Sequence, residues 1–360
     1  MQIKHLSLKN FRNEIEGEIE FDSGVNVICG ANAAGKTNIL EAIFYFAAGK
    51  SFRNCKDREL ITFGEEKSNI SMRFSTENVE MKMSAVLSKN KKRVIKIGES
   101  APLKMQEYIG RFRAVIFTPD HLSLIKGAPE NRRRFLDLAI CQSFPRYASA
   151  LSEYNRILAQ KNALLKRGNV IDTLMDVYNE RLASLAAVIT VNRRKYIKKL
   201  EEEAKRFLFD MSDGKEELTL TYQTQAGDLL TQEDIKERYL AIFSEKRNQE
   251  KERFLALFGA HKDDFSVSIN KKSAKMYGSQ GQQRSVVLAL KLAEGELSKN
   301  LTGEYPVFLL DDILSELDKD RKNYILSRIN DRQVIITGCE SEVFECGDRK
   351  RIYVCDGKIS

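Results

Sequence analysis

The sequence predicts an α/β protein: a nucleotide-binding head with a mixed sheet and an antiparallel β subdomain, plus an inserted all-helical arm. Three observations carry that expectation. Gly30-Ala31-Asn32-Ala33-Ala34-Gly35-Lys36-Thr37 reads G-x-x-x-x-G-K-[ST], between an apolar run (Val25–Cys29) and a helical stripe (Ile39, Ile43, Phe46). Period-two patterning fills much of residues 1–97 and returns past residue 260. From about residue 121 to 260 the period is helical. Residues 1–120 and 261–360 are therefore expected to form the head, with 121–260 inserted between them.

The first strands come from alternation. Leu6 and Leu8 alternate with Ser7 and Lys9, and Ile15, Gly17, Ile19 and Phe21 with Glu14, Glu16, Glu18 and Glu20; the turn falls at 10–13. Then comes the phosphate loop. Strand, glycine loop and helix is the context in which backbone N–H groups and the helix dipole converge on one anion. Gly30 and Gly35 let the backbone approach phosphate oxygens, Lys36 supplies a cation for the β- and γ-phosphates, and Thr37 offers a hydroxyl to Mg2+. Ala31, Asn32, Ala33, Ala34 and Asn38 complete the ATP-binding stretch.

Ile70, Met72 and Phe74, then Met81, Met83, Ala85 and Leu87, continue the alternation. Lys89-Asn90-Lys91-Lys92-Arg93 reads as a hairpin tip before Val94–Ile97. Val115-Ile116-Phe117 is a short buried strand stopped by Pro119, and Pro129 opens the first helix of the insertion. Tyr147, Leu151, Tyr154 and Leu158 form a coiled-coil-like stripe that Gly168-Asn169 breaks. A second run, from Leu174 through Ile189 and on to Phe209, would be about 50 Å long as one helix. Two such helices with a tight break form an antiparallel arm. Thr231-Gln232-Glu233-Asp234 resembles a capping box.

Past residue 260, Phe265, Val267 and Ile269 alternate; Val334-Ile335-Ile336 and Ile352-Tyr353-Val354 are further strands. Val307-Phe308-Leu309-Leu310 ends in Asp311-Asp312, the Walker B pattern. Asp311 is placed to hold Mg2+, and Asp312 to orient and polarise the attacking water; with Lys36 they are the catalytic candidates. An ordinary strand end with capping acids has the same look, and the phosphate loop gives the pair its meaning. Ser279-Gln280-Gly281-Gln282-Gln283 starts a helix and is a second anion-binding element. One chain does not need two γ-phosphate cradles, so this one is expected to serve the nucleotide of a second subunit. The alternative is a plain Ser-capped helix. The stretch lies 32 residues before Asp311, and Ser315-Glu316-Leu317-Asp318 follows Asp312 almost directly.

Composition bounds the rest. The chain has 360 residues, enough for two or three lobes, and a net charge of +8 that permits nucleic-acid binding without establishing it. Its six cysteines contain no C-x-x-C pair and it has three histidines, which excludes a zinc ribbon, a zinc hook and a disulfide framework. No apolar run reaches signal-peptide or membrane-spanning length, so the expectation is a cytoplasmic, reduced protein with no membrane partner.

In this order, phosphate loop, S-Q-G-Q-Q and L-L-D-D-I-L-S-E-L-D resemble the ABC-type ATPases, and the helical insertion resembles the SMC-like DNA-repair members. The likeness is nearest to the RecF family of bacterial recombination mediators. It rests on Leu8-Lys9-Asn10-Phe11-Arg12-Asn13, residues 30–38, 129–137, 259–265, 279–284 and 311–318, spread over nearly the whole chain. The resemblance implies that Arg12 and Asn13 approach the nucleotide, that Ser279 acts in trans, and that Ser315, Glu316, Leu317 and Asp318 form the D-loop. Thr337 falls where transporter ATPases usually carry a switch histidine. His261, in G-x-H-x-D-D, reads as a buried structural histidine.

By the same resemblance, ATP and Mg2+ would join two subunits into a homodimer clamped on DNA, and slow, DNA-stimulated hydrolysis would release it. Such proteins act at single-strand gaps and junctions, on single- and double-stranded DNA, with RecO- and RecR-like partners in recombinase loading, replication and the SOS response. The basic candidates for DNA are Lys91, Lys92 and Arg93, Arg132 and Arg133, and Arg193 and Arg194, each of which also reads as a solvated face. No aromatic residues interleave these runs to make a platform for bases. A chromosome-organising SMC protein would need longer arms and a hinge, a transporter subunit a membrane partner, and a nucleotide-binding scaffold would not keep Asp311 and Asp312.

Overall fold

A computed structural model describes residues 1–31, 33–53, 55–77, 79–168, 172–338, 349–355 and 358–359. In chain order the strands are β1 (Gln2–Phe11), β2 (Glu14–Glu20), β3 (Val25–Cys29), β4 (Lys67–Ser75), β5 (Glu80–Ser88), β6 (Val94–Ile97), β7 (Ala114–Phe117), β8 (Leu218–Gln223), β9 (Asp264–Ile269), β10 (Lys272–Ser273), β11 (Val307–Asp311), β12 (Val334–Gly338), β13 (Lys350–Cys355) and β14 (Lys358–Ile359). The chain divides into two compact units, Met1–His121 with Leu288–Ser360, and Leu122–Val287.

The first unit holds two sheets. One is mixed, in the order β14-β13-β3-β12-β11-β7, and parallel except for β13–β14. Its inner strands are continuous apolar runs, with β7, β11 and β12 buried throughout, as a sheet covered on both faces requires. After β3 the chain enters the phosphate-loop helix, Lys36–Ala48. Ile39, Leu40, Ile43, Phe44 and Phe46 are all at most 3% exposed, so this helix is buried on nearly every side, each of these side chains contributing roughly 1.5–3 kcal/mol. The other sheet is antiparallel, in the order β2-β1-β4-β5-β6. It packs Leu6, Leu8, Ile70, Met72, Phe74, Met83, Ala85 and Leu87 into the core and turns their alternating neighbours outward.

The parallel topology positions the chemistry. In register, Asp311 pairs Thr337, and Thr337 pairs Ile28, one residue from the end of β3. The carboxyl ends of β3, β12 and β11 therefore lie side by side, and ligands of open α/β sheets bind beyond such ends.

The second unit is mainly helical. Helices Pro129–Ser143, Pro145–Lys166 and Asp172–Met211 form its body, and Gln232–Glu245 and Arg247–Arg253 follow. The 40-residue helix Asp172–Met211 is about 60 Å long. Thr231 caps Gln232–Glu245 by accepting the Asp234 N–H at 3.1 Å. Asn169, half of the expected break, lies outside the described residues, as do Cys339 and Cys346.

Two expectations change here. The insertion is not all helical: Leu218–Gln223 is a strand, with Leu218 and Leu220 buried, and it pairs antiparallel with β9. That pairing draws β9 and β10 into the second unit, so residues 261–287, expected in the head, cluster with the arm. The alternation of Leu218-Thr219-Leu220-Thr221 was available as a signal, but a lone six-residue strand gives way to the helical period on both sides.

Candidate nucleotide site

The loop after β3 folds as its glycines permit. Gly35 caps the helix at φ +116°, a backbone that L side chains rarely adopt, and a Cβ on Gly30 would stand 2.3 Å from the Val354 carbonyl oxygen. Ala33 is left-handed at φ +65°. Ala34 N–H donates to Ala31 O at 3.2 Å and Asn38 N–H to Gly35 O at 2.8 Å, so the loop is tied at both ends. Lys36 is 8% exposed, and its Nζ donates to Gly30 O at 2.7 Å and Ala31 O at 3.1 Å, holding the ammonium over the loop. Asn32 lies outside the described residues.

Thr37 Oγ1 donates to Asp311 Oδ1 at 2.8 Å, across 274 residues of chain. The same carboxylate oxygen accepts the Thr337 hydroxyl, and Thr337 Oγ1 accepts the Asp312 N–H at 3.0 Å. Burial pushes the Asp311 carboxyl up from its ordinary range, while hydrogen bonds from Thr37 and Thr337 and the charge of Arg53 pull it down. Asp312 is exposed and left-handed at φ +51°, and Ser315 Oγ donates to its carbonyl at 2.7 Å. A hydroxyl and a carboxylate oxygen already in contact form an oxygen-donor pair whose chemistry fits Mg2+. Among the described residues no cluster of three or more His, Cys, Asp or Glu could hold a metal by itself.

Arg12, expected to approach the nucleotide, contacts Glu41 of the phosphate-loop helix. Its guanidinium is spent on Glu41, Nε and Nη2 each donating at 2.8 Å, on Glu59 O at 3.0 Å and on Cys55 Sγ at 3.1 Å. Glu41 is wholly buried in the phosphate-loop helix and needs that cation. Asn13 is the residue that reaches the loop, donating to Ala34 O at 3.5 Å and accepting from Asn38. Arg53 was not foreseen. It donates to Asn38 Oδ1 at 3.0 Å and lies close enough to act on Asp311; a basic residue just past the phosphate-loop helix was its only trace in the sequence.

Within the second unit, the signature forms a reciprocal cap: Gln282 N–H donates to Ser279 Oγ at 3.2 Å, and Ser279 N–H to Gln282 Oε1 at 2.8 Å. Gln282 Nε2 also donates to Glu216 Oε1 at 2.9 Å, and the buried Gln283 Nε2 to Ala274 O at 2.9 Å, leaving Ser279 and Gln280 exposed at the start of helix Gln280–Thr302. Back in the first unit, Leu317 is buried, Glu316 closes a short 3-10 turn, and Asp318 caps helix Lys319–Arg328 by accepting Arg321 N–H at 3.0 Å.

A family model described as the RecF/RecN/SMC N terminal domain matches residues 2–358. A DNA replication and repair protein RecF from Clostridium kluyveri is 41% identical over the full length of both chains. One from Clostridioides difficile is 37% identical, covering 98% of this chain and 96% of that one. The chain belongs to the RecF family. Among solved structures, a recombination mediator protein RecF-ATP of the RecFOR pathway superposes with a TM-score of 0.92 at 34% identity, covering 100% of this chain and 97% of that one. The Smc head domain from Pyrococcus furiosus, at TM-score 0.56 and 18% identity, covers 100% of this chain and 95% of that one and shares the fold.

Most of the basic residues suspected of meeting DNA have partners within this RecF-family chain. Arg132 grips Asp264 at 2.7 and 2.8 Å and also donates to the Leu124 and Gly127 carbonyls. Arg133 donates to Asp263 O at 2.8 Å. Arg193, 2% exposed, takes both Asp137 oxygens at 2.9 Å and Ala260 O at 2.6 Å. Arg194 is bound by the Gly227 and Leu229 carbonyls, and Arg93 by Asp57 at 3.1 Å and Tyr45 Oη at 3.3 Å. Lys91 and Lys92 alone of the seven are exposed with no partner. His261 accepts or shares the Tyr154 hydroxyl at Nδ1, 2.8 Å, and faces Ala256 O through Nε2 at 3.2 Å; burial lowers its pKa to about 4, so it is neutral.

Proposed function

We propose that the chain binds ATP and Mg2+ in its head, dimerises through the bound nucleotide and holds DNA in that state, letting go on slow, DNA-stimulated hydrolysis. The observation that carries this is the Thr37–Asp311 contact, which couples phosphate loop and Walker B strand into one oxygen-donor pair. Thr37 and Asp311 would hold Mg2+, which when bound supplies positive charge against the phosphates. Lys36 would exchange the Gly30 and Ala31 carbonyls for the β- and γ-phosphates, and the N–H groups of residues 30–35 would cradle them. Asp312 would take up and orient the nucleophilic water, with Thr337 fixing the backbone from which it projects.

Ser279 supports the trans reading. Ser279 and Gln280 stand exposed at the start of a 23-residue helix, where a partner subunit's γ-phosphate would meet the Ser279 side chain and the positive end of the helix dipole. The site is then complete only between two copies, so nucleotide occupancy and dimerisation are thermodynamically linked. By analogy with RecF and the RecFOR pathway of its solved relative, we extend the reading to cytoplasmic recombinational repair and replication. It would act at single-strand gaps and junctions, with RecO- and RecR-like partners, in recombinase loading and the SOS response. Among the described residues no helix is long and apolar enough to cross a membrane.

Sedimentation with and without ATP-Mg2+, repeated with gapped DNA, tests the reading. The expected result is a monomer that becomes a dimer with ATP, a Ser279→Arg variant that binds ATP but stays single, and an Asp312→Asn variant that remains dimeric for longer than wild type. A wild-type chain that stays monomeric at saturating ATP would overturn it.

A further inference from the structure

Phe63 is fully exposed, the most exposed large apolar side chain among the described residues. A scattered surface Phe is ordinary. This one stands on a rigid mount. It occupies a four-residue turn closed by Glu65 N–H to Thr62 O at 3.0 Å, with Gly64 beside it at φ +90°. The turn is in turn pinned to β1: Arg12 N–H donates to Leu60 O at 2.8 Å, Thr62 N–H to Asn10 O at 3.0 Å, and Asn10 Nδ2 to Glu65 Oε2 at 3.0 Å.

Beside the turn lies the β5–β6 hairpin tip. Lys89 N–H donates to Glu66 O at 3.2 Å and Asn90 Nδ2 to Glu66 Oε2 at 3.2 Å, while Lys67 stands in register with Ser88. Lys67, Lys89, Lys91 and Lys92 are exposed and none has an ion pair or side-chain hydrogen bond. The two nearby carboxylates are occupied by amides, Glu65 by Asn10 and Glu66 by Asn90, rather than by these lysines. Arg93 anchors the hairpin base to Asp57 and to Tyr45 of the phosphate-loop helix. Phe63 and Glu66 are three chain steps apart, so the ring's backbone lies within about 10 Å of the Glu66 backbone that holds the Lys89 amide, one or two nucleotide steps.

We propose that this turn and hairpin form a contact for single-stranded DNA, Phe63 stacking on one unpaired base while Lys89, Lys91 and Lys92 take the neighbouring phosphates. The proposal rests on the DNA-binding reading above and adds to it a place and a strand preference. Phosphate contacts by lysine carry affinity without base identity, and an aromatic face accepts any base that has left its stack. A duplex offers no such face. The sequence hides the site because Phe63 and the lysines are 26 or more residues apart and meet only through the β4–β5–β6 pairing.

The test uses the full chain with ATP and fluorescence anisotropy on gapped and blunt duplex DNA at two salt concentrations. Phe63→Ala should weaken binding to gapped DNA about tenfold, leave blunt duplex unchanged and leave the salt dependence unchanged. Lys89→Gln/Lys91→Gln/Lys92→Gln should weaken both and lower the salt slope by about two to three. Both variants change exposed side chains, and unchanged ATP-driven dimerisation reports that the fold is intact. Wild-type affinity for gapped DNA in Phe63→Ala, or an equal loss on blunt duplex, would overturn the stacking contact, and an unchanged salt slope in the triple variant would overturn the phosphate contact. Either result with normal wild-type binding leaves the broader reading standing; a wild-type chain that binds no DNA overturns both.

Discussion

Thr337 and Asp311 are register partners on adjacent parallel strands, and the Thr337 hydroxyl donates to the Asp311 carboxylate at 3.0 Å while accepting the Asp312 N–H. One hydroxyl thus ties the proposed Mg2+ ligand to the backbone of the proposed water-orienting residue. The position where a transporter ATPase usually carries histidine is filled here by a small hydrogen-bonding residue aimed at the Walker B pair. Thr337→Val should lower the ATP hydrolysis rate at least tenfold while changing ATP affinity less than threefold, and cost about 1–2 kcal/mol in stability. Thr337→Ser should restore most of the rate. Steady-state kinetics beside equilibrium binding checks it, and a normal rate in the valine variant would release Thr337 from the role.

Arg12 and Glu41 make the second testable unit. Glu41 is wholly buried and satisfied by both Arg12 nitrogens, by Ser51 and, at 3.7 Å, by Arg53. Glu41→Gln would strand a half-buried guanidinium and should cost about 3 kcal/mol in urea unfolding. Combining it with Arg12→Met should recover part of the loss, because the uncompensated charge is then gone. If Arg12 instead contacts nucleotide directly, Arg12→Met alone would abolish ATP binding with little change in stability, the opposite ranking.

The arm arginines separate a structural cation from a DNA contact. Arg193 sits between Asp137 and the Ala260 carbonyl with almost no exposed surface. Arg193→Met should destabilise the chain by about 3–5 kcal/mol, since Asp137 and Ala260 O lose their partner. At a temperature where the variant is folded, its salt slope for DNA binding should equal that of wild type. A slope reduced by about one would return Arg193 to the nucleic-acid surface.

Legibility followed the range of each signal. The phosphate loop, the Walker B strand and the head strands are written in contiguous residues, and strand-loop-helix context is what marks Lys36 and Thr37 as candidates for the nucleotide site. What the sequence could not say was which partner each polar residue takes. Nothing around Arg12 in the chain announces its partner Glu41, 29 residues on, and Arg132 and Arg193 read as surface charge although Asp264 and Asp137 stand opposite them. Basic residues in an otherwise helical stretch carry the same letters whether solvated or buried in ion pairs. Strand β8 escaped for a related reason: its partner β9 lies over 40 residues away, so the short Leu218–Thr221 alternation has no neighbouring strand in sequence to support it.

His261 gives a pH-dependent prediction with a fixed sign. Burial, the largest influence, lowers its pKa to about 4 from the ordinary 6.5, and the charge of Lys262 acts in the same direction. Between those values the unfolded chain binds more protons than the folded one, so stability rises with pH across that window. The contribution is present in full above pH 6.5 and is lost as pH falls towards 4, amounting to no more than about 3 kcal/mol. Urea midpoints measured at pH 7.5, 5.5 and 4.5 should therefore fall, and His261→Gln should flatten the fall while losing stability at pH 7.5, because Tyr154 and the Ala256 carbonyl lose a matched partner. Other carboxylates also titrate near pH 4, so the diagnostic interval is 6.5 to 5, where His261 is the buried titrating group with a depressed pKa. A wild-type midpoint that stays constant over that interval would mean that the Tyr154–His261 contact opens enough for the ring to protonate at its ordinary pKa.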